Sequence, residues 1–400
     1  MNPVRRRWLR ALALAPWSAA AAGPGRGADA AAGTPSGASP DAIAATAGSA
    51  RSVAEEDPVR RGRRLEFPRD HGAHLGARTE WWYATGWARG GAKGGPGEAP
   101  SHGFQVTFFR SRTGLAAGNP SRFAARQLLF AHAAVTDLST RSHHHDQRIA
   151  RWSGAPQAAL GWASTEDAEV RLGSWSLRRD GDTWRSVVEA GSFRLDLTLQ
   201  RTQPPLLQGD AGFSRKGPEE RQASHYYSEP QLAATLRLAL DGRPAGAPAA
   251  GRGWIDHEWS DEILHPEAVG WDWIGINLLD GSALTAFVLR RRDGSALWAG
   301  GSFRAPGQPA RILSADEVRF EPGRRWLSPQ TAASYPVQWQ VSTPVGRWQV
   351  QALMDEQELD SRGSTGTVYW EGLSELLDGV GRRVGLGYLE MTGYAGALRL

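Results

Sequence analysis

The segment GWIDHEWSDEIL, Gly253 to Leu264, sets Asp256, His257 and Glu258 side by side between Trp254 and Trp259. Such a row offers two chemistries, proton transfer near neutral pH or ligation of a metal ion. Strand geometry divides it. Successive side chains of a strand point to opposite faces, so His257 shares a face with Trp259 while Asp256 and Glu258 share the other. His257 can then work only with residues brought in by other strands. It is the candidate acid or base, whereas Asp256 and Glu258 read as structural or interdomain contacts. Neither an HExxH nor a second histidine at helical spacing accompanies it, so no metal is expected.

Other stretches carry the same ambiguity. In EWWY, Glu80 and Trp82 share a face. Either this carboxylate sits in a Trp-lined cavity, where burial raises its pKa, or it pairs with an arginine across a barrel. In GWDWIG, Trp271 and Trp273 form one wall and Asp272 points away from it. Asp272 is a second catalytic candidate, or else the acceptor of an indole N–H. In HYYSEPQL, Tyr226 and Tyr227 precede a Glu-Pro turn. One phenol either faces a cavity as a proton donor or packs at a rim. The candidate ligand-binding set is Glu80, Trp82, Tyr227, Trp259, Trp271 and Trp273. His143, His144 and His145 read as exposed loop histidines, since neighbours in a loop do not converge on one ion without a special turn. His132, inside an apolar run, is either a hydrogen-bonded core residue or a ligand. Tyr369/Glu371 and Tyr388/Glu390 repeat an aromatic-X-carboxylate pattern, which suits a polar ring at a barrel end or plain structural hydrogen bonding.

The elements that must position these residues are strands. FQVTFFRSR, RLDLTLQR, ATLRLAL, SALTAFVLR, YPVQWQVST and RWQVQALM alternate with a period of two and are rich in β-branched and aromatic residues. Asp-Gly turns separate several of them. Helical periodicity is nearly absent, and LSADEVRFEP reads as one turn or the entry to a strand. The fold class expected is all-β, built as antiparallel barrels. DGRPAGAPAAGRG, Asp241 to Gly253, is linker-like and divides a domain at 61–245 from one at 252–400. The two halves echo each other. EWWYATGW leads to FQVTFFR, and GWDWIGINLL leads to SALTAFVLR, each a Trp-rich strand hairpinned to an alternating strand that ends in Arg.

Composition removes several classes of function. The 400 residues contain no cysteine, so disulfides, thiolate metal sites and cysteine nucleophiles are excluded. The net charge of +4 lies wholly in residues 1–30, which hold five Arg and one Asp. The remainder is balanced, so no nucleic-acid partner is expected. No nucleotide-binding glycine turn and no GxSxG elbow occurs. Residues 1–30 read as an export signal, with a basic start, a short apolar stretch and a twin-arginine character from Arg5-Arg6-Arg7. That places the chain in the periplasm or outside the cell, with no transmembrane segment after removal of the signal. Residues 31–60 read as a disordered lead-in.

Taken together and in order, EWWYATGW, FQVTFFR, FAHAAVTD, HYYSEPQL, GWIDHEW, GWDWIGINLLDG, YWEG and GYLEMTGY resemble the AttH-like proteins. That group shares a two-lipocalin-domain architecture with carotenoid 1,2-hydratase. The resemblance spans about residues 60 to 400. It implies two lipocalin-like barrels in tandem and no cofactor. The hydratase's His-X-Trp pair matches His257 and Trp259. Its Tyr-X-Asp pair falls on the strand LTAFVLR, which has neither residue. Three functions are compatible with the resemblance. One is an exported protein binding an isoprenoid or lipid-like hydrophobic molecule in a Trp-rich pocket. Another is a hydratase or cyclase working through His257. The third is a non-catalytic accessory of an envelope ABC-type transporter.

Overall fold

In the computed structural model, the described residues are 58–90, 99–115, 118–119, 121, 123–262 and 264–398. The expected export signal and nearly all of the expected lead-in lie outside them. Strands dominate. The one helix among the described residues is a single 3-10 turn, Arg69–His71. No helix among them is long and apolar enough to cross a membrane.

The first sheet contains β1 (Thr79–Arg89), β2 (His102–Arg112), β3 (Gln127–Asp137), β4 (Ser142–Trp152), β5 (Gly161–Ala163), β6 (Glu169–Leu172), β7 (Trp175–Asp180), β8 (Thr183–Glu189), β9 (Phe193–Gln200), β10 (Leu206–Leu207), β11 (Phe213–Arg215), β12 (Ala223–Leu240) and β13 (Ala249–Ser260). Its strand order is β4-β3-β2-β1-β13-β12-β9-β8-β7-β6-β5. The terminal strands β4 and β5 touch, so the sheet nearly closes into a barrel. The second sheet contains β14 (Ala268–Leu278), β15 (Ala283–Arg291), β16 (Ala296–Arg304), β17 (Arg311–Leu313), β18 (Arg319–Pro322), β21 (Gln338–Thr343), β22 (Gly346–Ala352), β23 (Glu358–Asp360), β24 (Val368–Leu377) and β25 (Arg383–Met391); β19 (Trp326–Leu327) and β20 (Ser334–Tyr335) pair separately. Both sheets are antiparallel, and the chain is two lipocalin-like barrels in tandem. The described residues pack as one unit.

Three local readings change. His143, His144 and His145 lie in β4, not in a loop, and pair with Thr136, Val135 and Ala134 of β3. The strand turns alternate histidines to opposite faces, so the run does not converge. Glu229-Pro230 is not a turn either. It lies at a bulge inside the long strand β12, between Glu229 and Leu232, where proline's missing N–H is tolerated. The linker-like segment ends inside β13, which pairs with β1 on one side and β12 on the other. His257 therefore belongs to the first barrel's sheet.

What positions the site is a double burial. On β13, Ile255 packs into the first barrel's core and Trp254 packs outward with Trp273, Phe287 and Tyr388 of the second barrel. β1 does the same, with Trp82 and Ala84 inward and Tyr83 and Trp87 outward. In the second barrel Ile274, Ile276 and Val288 face inward while Trp273, Phe287 and Tyr388 face the first. From Gly253 to Ser260 both faces of β13 are buried.

Candidate functional site

The residues singled out above fall into three places. The inward face of β1 and β13 makes a polar cluster inside the first barrel. Glu80 Oε1 is approached by His74 Nδ1 at 2.7 Å and His257 Nε2 at 3.0 Å, and Glu80 Oε2 accepts from Arg110 Nε at 2.7 Å. His74 Nε2 meets Asp70 Oδ1 at 3.0 Å, and Asp70 also pairs with Arg63 at 3.0 Å. Tyr227 Oη lies 2.5 Å from His71 Nδ1 and 3.3 Å from His257 Nδ1. Trp82 stacks on His257 at 4.8 Å between centroids, and Trp259 stacks on His74 at 3.6 Å. Glu80, Trp82, Tyr227, His257 and Trp259 are thus brought together, all buried.

Electrostatics make this cluster a clamp. Burial alone would raise the Glu80 pKa, but Arg110 and hydrogen bonds from His257 and His74 hold it well below the ordinary value. Burial keeps His71 neutral, with its pKa lowered to about 2, and lowers that of His257 against the pull of Glu80. His74, Glu80 and His257 present three ligand atoms within 4.8 Å of one another, the geometry a metal would need. The charges argue against one. Both ring nitrogens of His74 already lie within hydrogen-bonding reach of carboxylate oxygens. Arg63 pairs with Asp70 and Arg110 with Glu80, so the cluster has no surplus negative charge to hold a dication.

Asp272 stands elsewhere, on the inward face of the second barrel. It pairs with Arg290 Nε at 2.6 Å and accepts from Tyr394 Oη at 3.0 Å. It is the counterpart of Glu80, which pairs with Arg110. The two arginines are those that end FQVTFFR and SALTAFVLR, so the sequence echo marks one buried carboxylate–arginine pair per barrel.

The third place is a cavity of about 350 Å³ between the barrels. Trp271 and Trp273 line it, with Trp81, Phe109, Phe130, Phe287 and Leu289. Phe287 and Leu289 belong to the strand that lacks the Tyr-X-Asp pair. The cavity's polar groups come from the outward faces. Asp256 accepts from Tyr226 Oη at 2.7 Å, Trp254 Nε1 at 2.7 Å and Ser228 Oγ at 2.5 Å. Burial nevertheless pushes its pKa up to about 7 against those three bonds. Lys216 Nζ pairs with Glu258 at 2.9 Å and lies 4.6 Å from the centre of the Tyr226 ring. His132 joins Tyr369 Oη at 2.7 Å and Ser364 Oγ at 2.8 Å, tying the first barrel to the second. Burial lowers its pKa to about 3, so it is neutral.

Glu371 of β24 and Glu390 of β25 stand directly opposite each other in the ladder. Burial pushes Glu390 up to about 8, opposed by the Trp271 indole and reinforced by neighbouring carboxyls. Burial and Glu390 together hold Glu371 well above the usual range. The cavity therefore contains carboxyl groups that stay protonated at neutral pH. Asp256 and Glu258 are cavity residues, whereas sequence reasoning had set them aside as structural or interdomain contacts. His257, on the other face of the same strand, points away from the cavity. Asp70, His71 and His74 were missed altogether. Their one signal is the spacing DHGAH just before the first strand.

The AttH-like family model matches residues 58–394. A crystal structure from Nitrosomonas europaea, described as an AttH, is 44% identical with a TM-score of 0.75, over 84% of this chain and 99% of that one. Kievitone hydratase from Nectria haematococca is 15% identical with a TM-score of 0.59, over 83% of this chain and 94% of that one, a likeness of fold alone. No curated protein sequence matches.

Proposed function

The chain belongs to the AttH-like family, and from that premise we propose that it takes a neutral, largely apolar small molecule into the cavity between its barrels and adds water to it, or closes a ring in it, with buried carboxyl groups as proton donors. One observation carries this reading, the Glu371–Glu390 pair facing an aromatic cavity with Glu390 pushed up to about 8 by burial. An acid that keeps its proton at neutral pH can deliver it to a substrate there. The Trp271, Trp273 and Phe287 faces around it favour positive charge as it develops. Cavities of about 300–1,000 Å³ hold drug-sized ligands, so an isoprenoid or lipid-like molecule of modest length suits the volume. A hydratase built on the same fold makes water addition compatible with the architecture, while the choice of reaction for this chain rests on the cavity itself.

The test is incubation of the purified chain with unsaturated isoprenoids in water labelled in its oxygen. The expected product carries one labelled oxygen and is lost in Glu390→Gln. Compounds that bind tightly and never turn over would leave a carrier of hydrophobic molecules, which the Trp-rich wall supports without any acid.

Export to the periplasm or beyond is the companion proposal, supported by the Arg-rich start and short apolar stretch of residues 1–30. Fractionation of cells producing the full chain tests it, and retention in the cytoplasm would overturn it.

A further inference from the structure

The second sheet does not close on itself, since its terminal strands β17 and β18 do not pair with each other. β18 borders a cleft of about 750 Å³ that shares no lining residue with the cavity between the barrels. The end of β15 and the turn after it form another side, and residues 393–397 complete the wall. Part of that wall is apolar, with Val288, Phe320 and Trp339. The rest is charged. Arg290, Arg292, Arg319 and Arg325 line the cleft against Asp293 and Glu321.

Two observations say what this cleft lacks. The first is negative charge. Arg290 is committed, with Nε 2.6 Å from Asp272 and its guanidinium 3.9 Å from the centre of the Tyr394 ring. Arg325 donates to Ser334 through Nε at 2.9 Å and Nη2 at 2.6 Å. Asp293 accepts the Ser295 amide of its own turn at 2.9 Å. Arg292 and Arg319 make no hydrogen bond or ion pair among the described residues, and only Glu321 remains to face them. The second is an acceptor. Trp339 is buried, and its Nε1, which can only donate, has no partner among the described residues. Native structures seldom leave a buried donor unpaired without a reason.

We propose that this cleft binds an organic carboxylate with an apolar body, of the kind a medium-chain fatty acid presents. The carboxylate accepts from Trp339 Nε1 and answers the unpaired guanidinium groups of Arg292 and Arg319, while the apolar body covers Phe320 and Val288. Hydrogen bonds from guanidinium to carboxylate are among the strong ones. An inorganic anion would meet the charge and leave the apolar wall bare, and a neutral molecule would do the reverse. The site does not rest on the chemistry proposed for the cavity between the barrels. It would let one chain hold a charged molecule and a neutral one at the same time.

Decanoate and decanol, which share a chain length and differ in charge, test the idea by calorimetric titration with farnesol in excess to fill the cavity between the barrels. Decanoate is expected to bind about tenfold more tightly, as one hydrogen bond to a charged group would give. Arg292→Gln/Arg319→Gln should remove most of that preference. It breaks no contact within the chain, so melting and decanol affinity should stay as in wild type. In spectra of isotopically labelled indoles, the Trp339 N–H signal, identified by its absence from Trp339→Phe, should move downfield when decanoate binds. Equal binding of the two compounds, a preference that survives the double substitution, or an unmoved indole signal overturns the site. So does displacement of farnesol by decanoate, which puts the carboxylate between the barrels. Displacement of decanoate by inorganic phosphate at equal concentration also overturns it, because the apolar wall then contributes nothing. Farnesol that fails to bind counts against the cavity between the barrels alone, and the comparison of decanoate with decanol is then made without it.

Discussion

Glu80→Gln separates a structural clamp from a reacting centre. Glu80, Arg110 and His257 have no solvent exposure. Arg110 Nε, the His74 amide, His74 Nδ1 and His257 Nε2 all point at the carboxylate. Glutamine keeps the shape, but its NH2 must face one of these donors, and Arg110 loses its counter-charge. Removing one partner of a buried ion pair costs about 3–5 kcal/mol. For a folded unit as long as residues 58–398, an unfolding entropy of roughly 2.1 cal/mol/K per residue makes 1 kcal/mol worth roughly 1.5 °C, so the variant should melt roughly 4–8 °C below wild type. Scanning calorimetry at neutral pH measures the shift. Adding Arg110→Met should recover a large part of it, because both charges then leave together. Ligand affinity in the cavity should stay within about twofold of wild type in the folded variant, since the two sites lie on opposite faces of β13. Melting within about 2 °C of wild type would refute the charge argument. Normal melting with loss of turnover would refute the cavity, and would make His257 the reacting group.

The same clamp sets the acid response. Asp70 and Glu80 are held below the ordinary carboxylate range in the folded state. Their contribution is therefore present above the unfolded value of about 4 and lost as pH falls. Tm should drop below about pH 4, and less steeply in Asp70→Asn, by calorimetry over a pH series. Glu390 has the opposite sign. Its folded pKa is raised to about 8, so its contribution is full at low pH and declines as pH rises from the unfolded value through 8. Glu390→Gln should narrow the stability difference between mildly acidic and mildly alkaline pH by at least about 1 kcal/mol, read from urea midpoints. Lys216→Met strands the buried Glu258 carboxylate and should cost about 3 kcal/mol, largely restored by adding Glu258→Gln; an unchanged urea midpoint in the single variant would show the pair to be solvated.

The sequence carried the strands well and the orientation of their faces badly, and β13 shows why. Alternation separated Asp256 and Glu258 from His257 and Trp259, as the ladder does. Alternation identifies a core only when one face meets water. Here one face, with His257 and Trp259, enters its own barrel, and the other, with Trp254, Asp256 and Glu258, meets the second barrel. The choice of His257 as the reacting residue followed from its chemistry, not from its surroundings. Glu371 and Glu390 were visible as a repeated pattern, but their opposition depends on the register of two strands, which no local signal encodes. Asp70 and His71 lie in a short 3-10 turn and His74 in the segment after it, so no strand alternation marks them.

β13 has its polar clamp on one face and two cavity residues, Asp256 and Glu258, on the other. A strand cannot shift one face without the other, because a change of register by one residue exchanges them. The His257–Glu80 contact ties β13 to β1 from inside the first barrel. On β13's other side Asp256 stands opposite Ser228 and Glu258 opposite Tyr226 of β12. His257 then matters to chemistry in the cavity without touching a substrate. Its loss should lower turnover in proportion to the loss of folded protein, while the pH dependence of the remaining activity follows the carboxyl groups of the cavity.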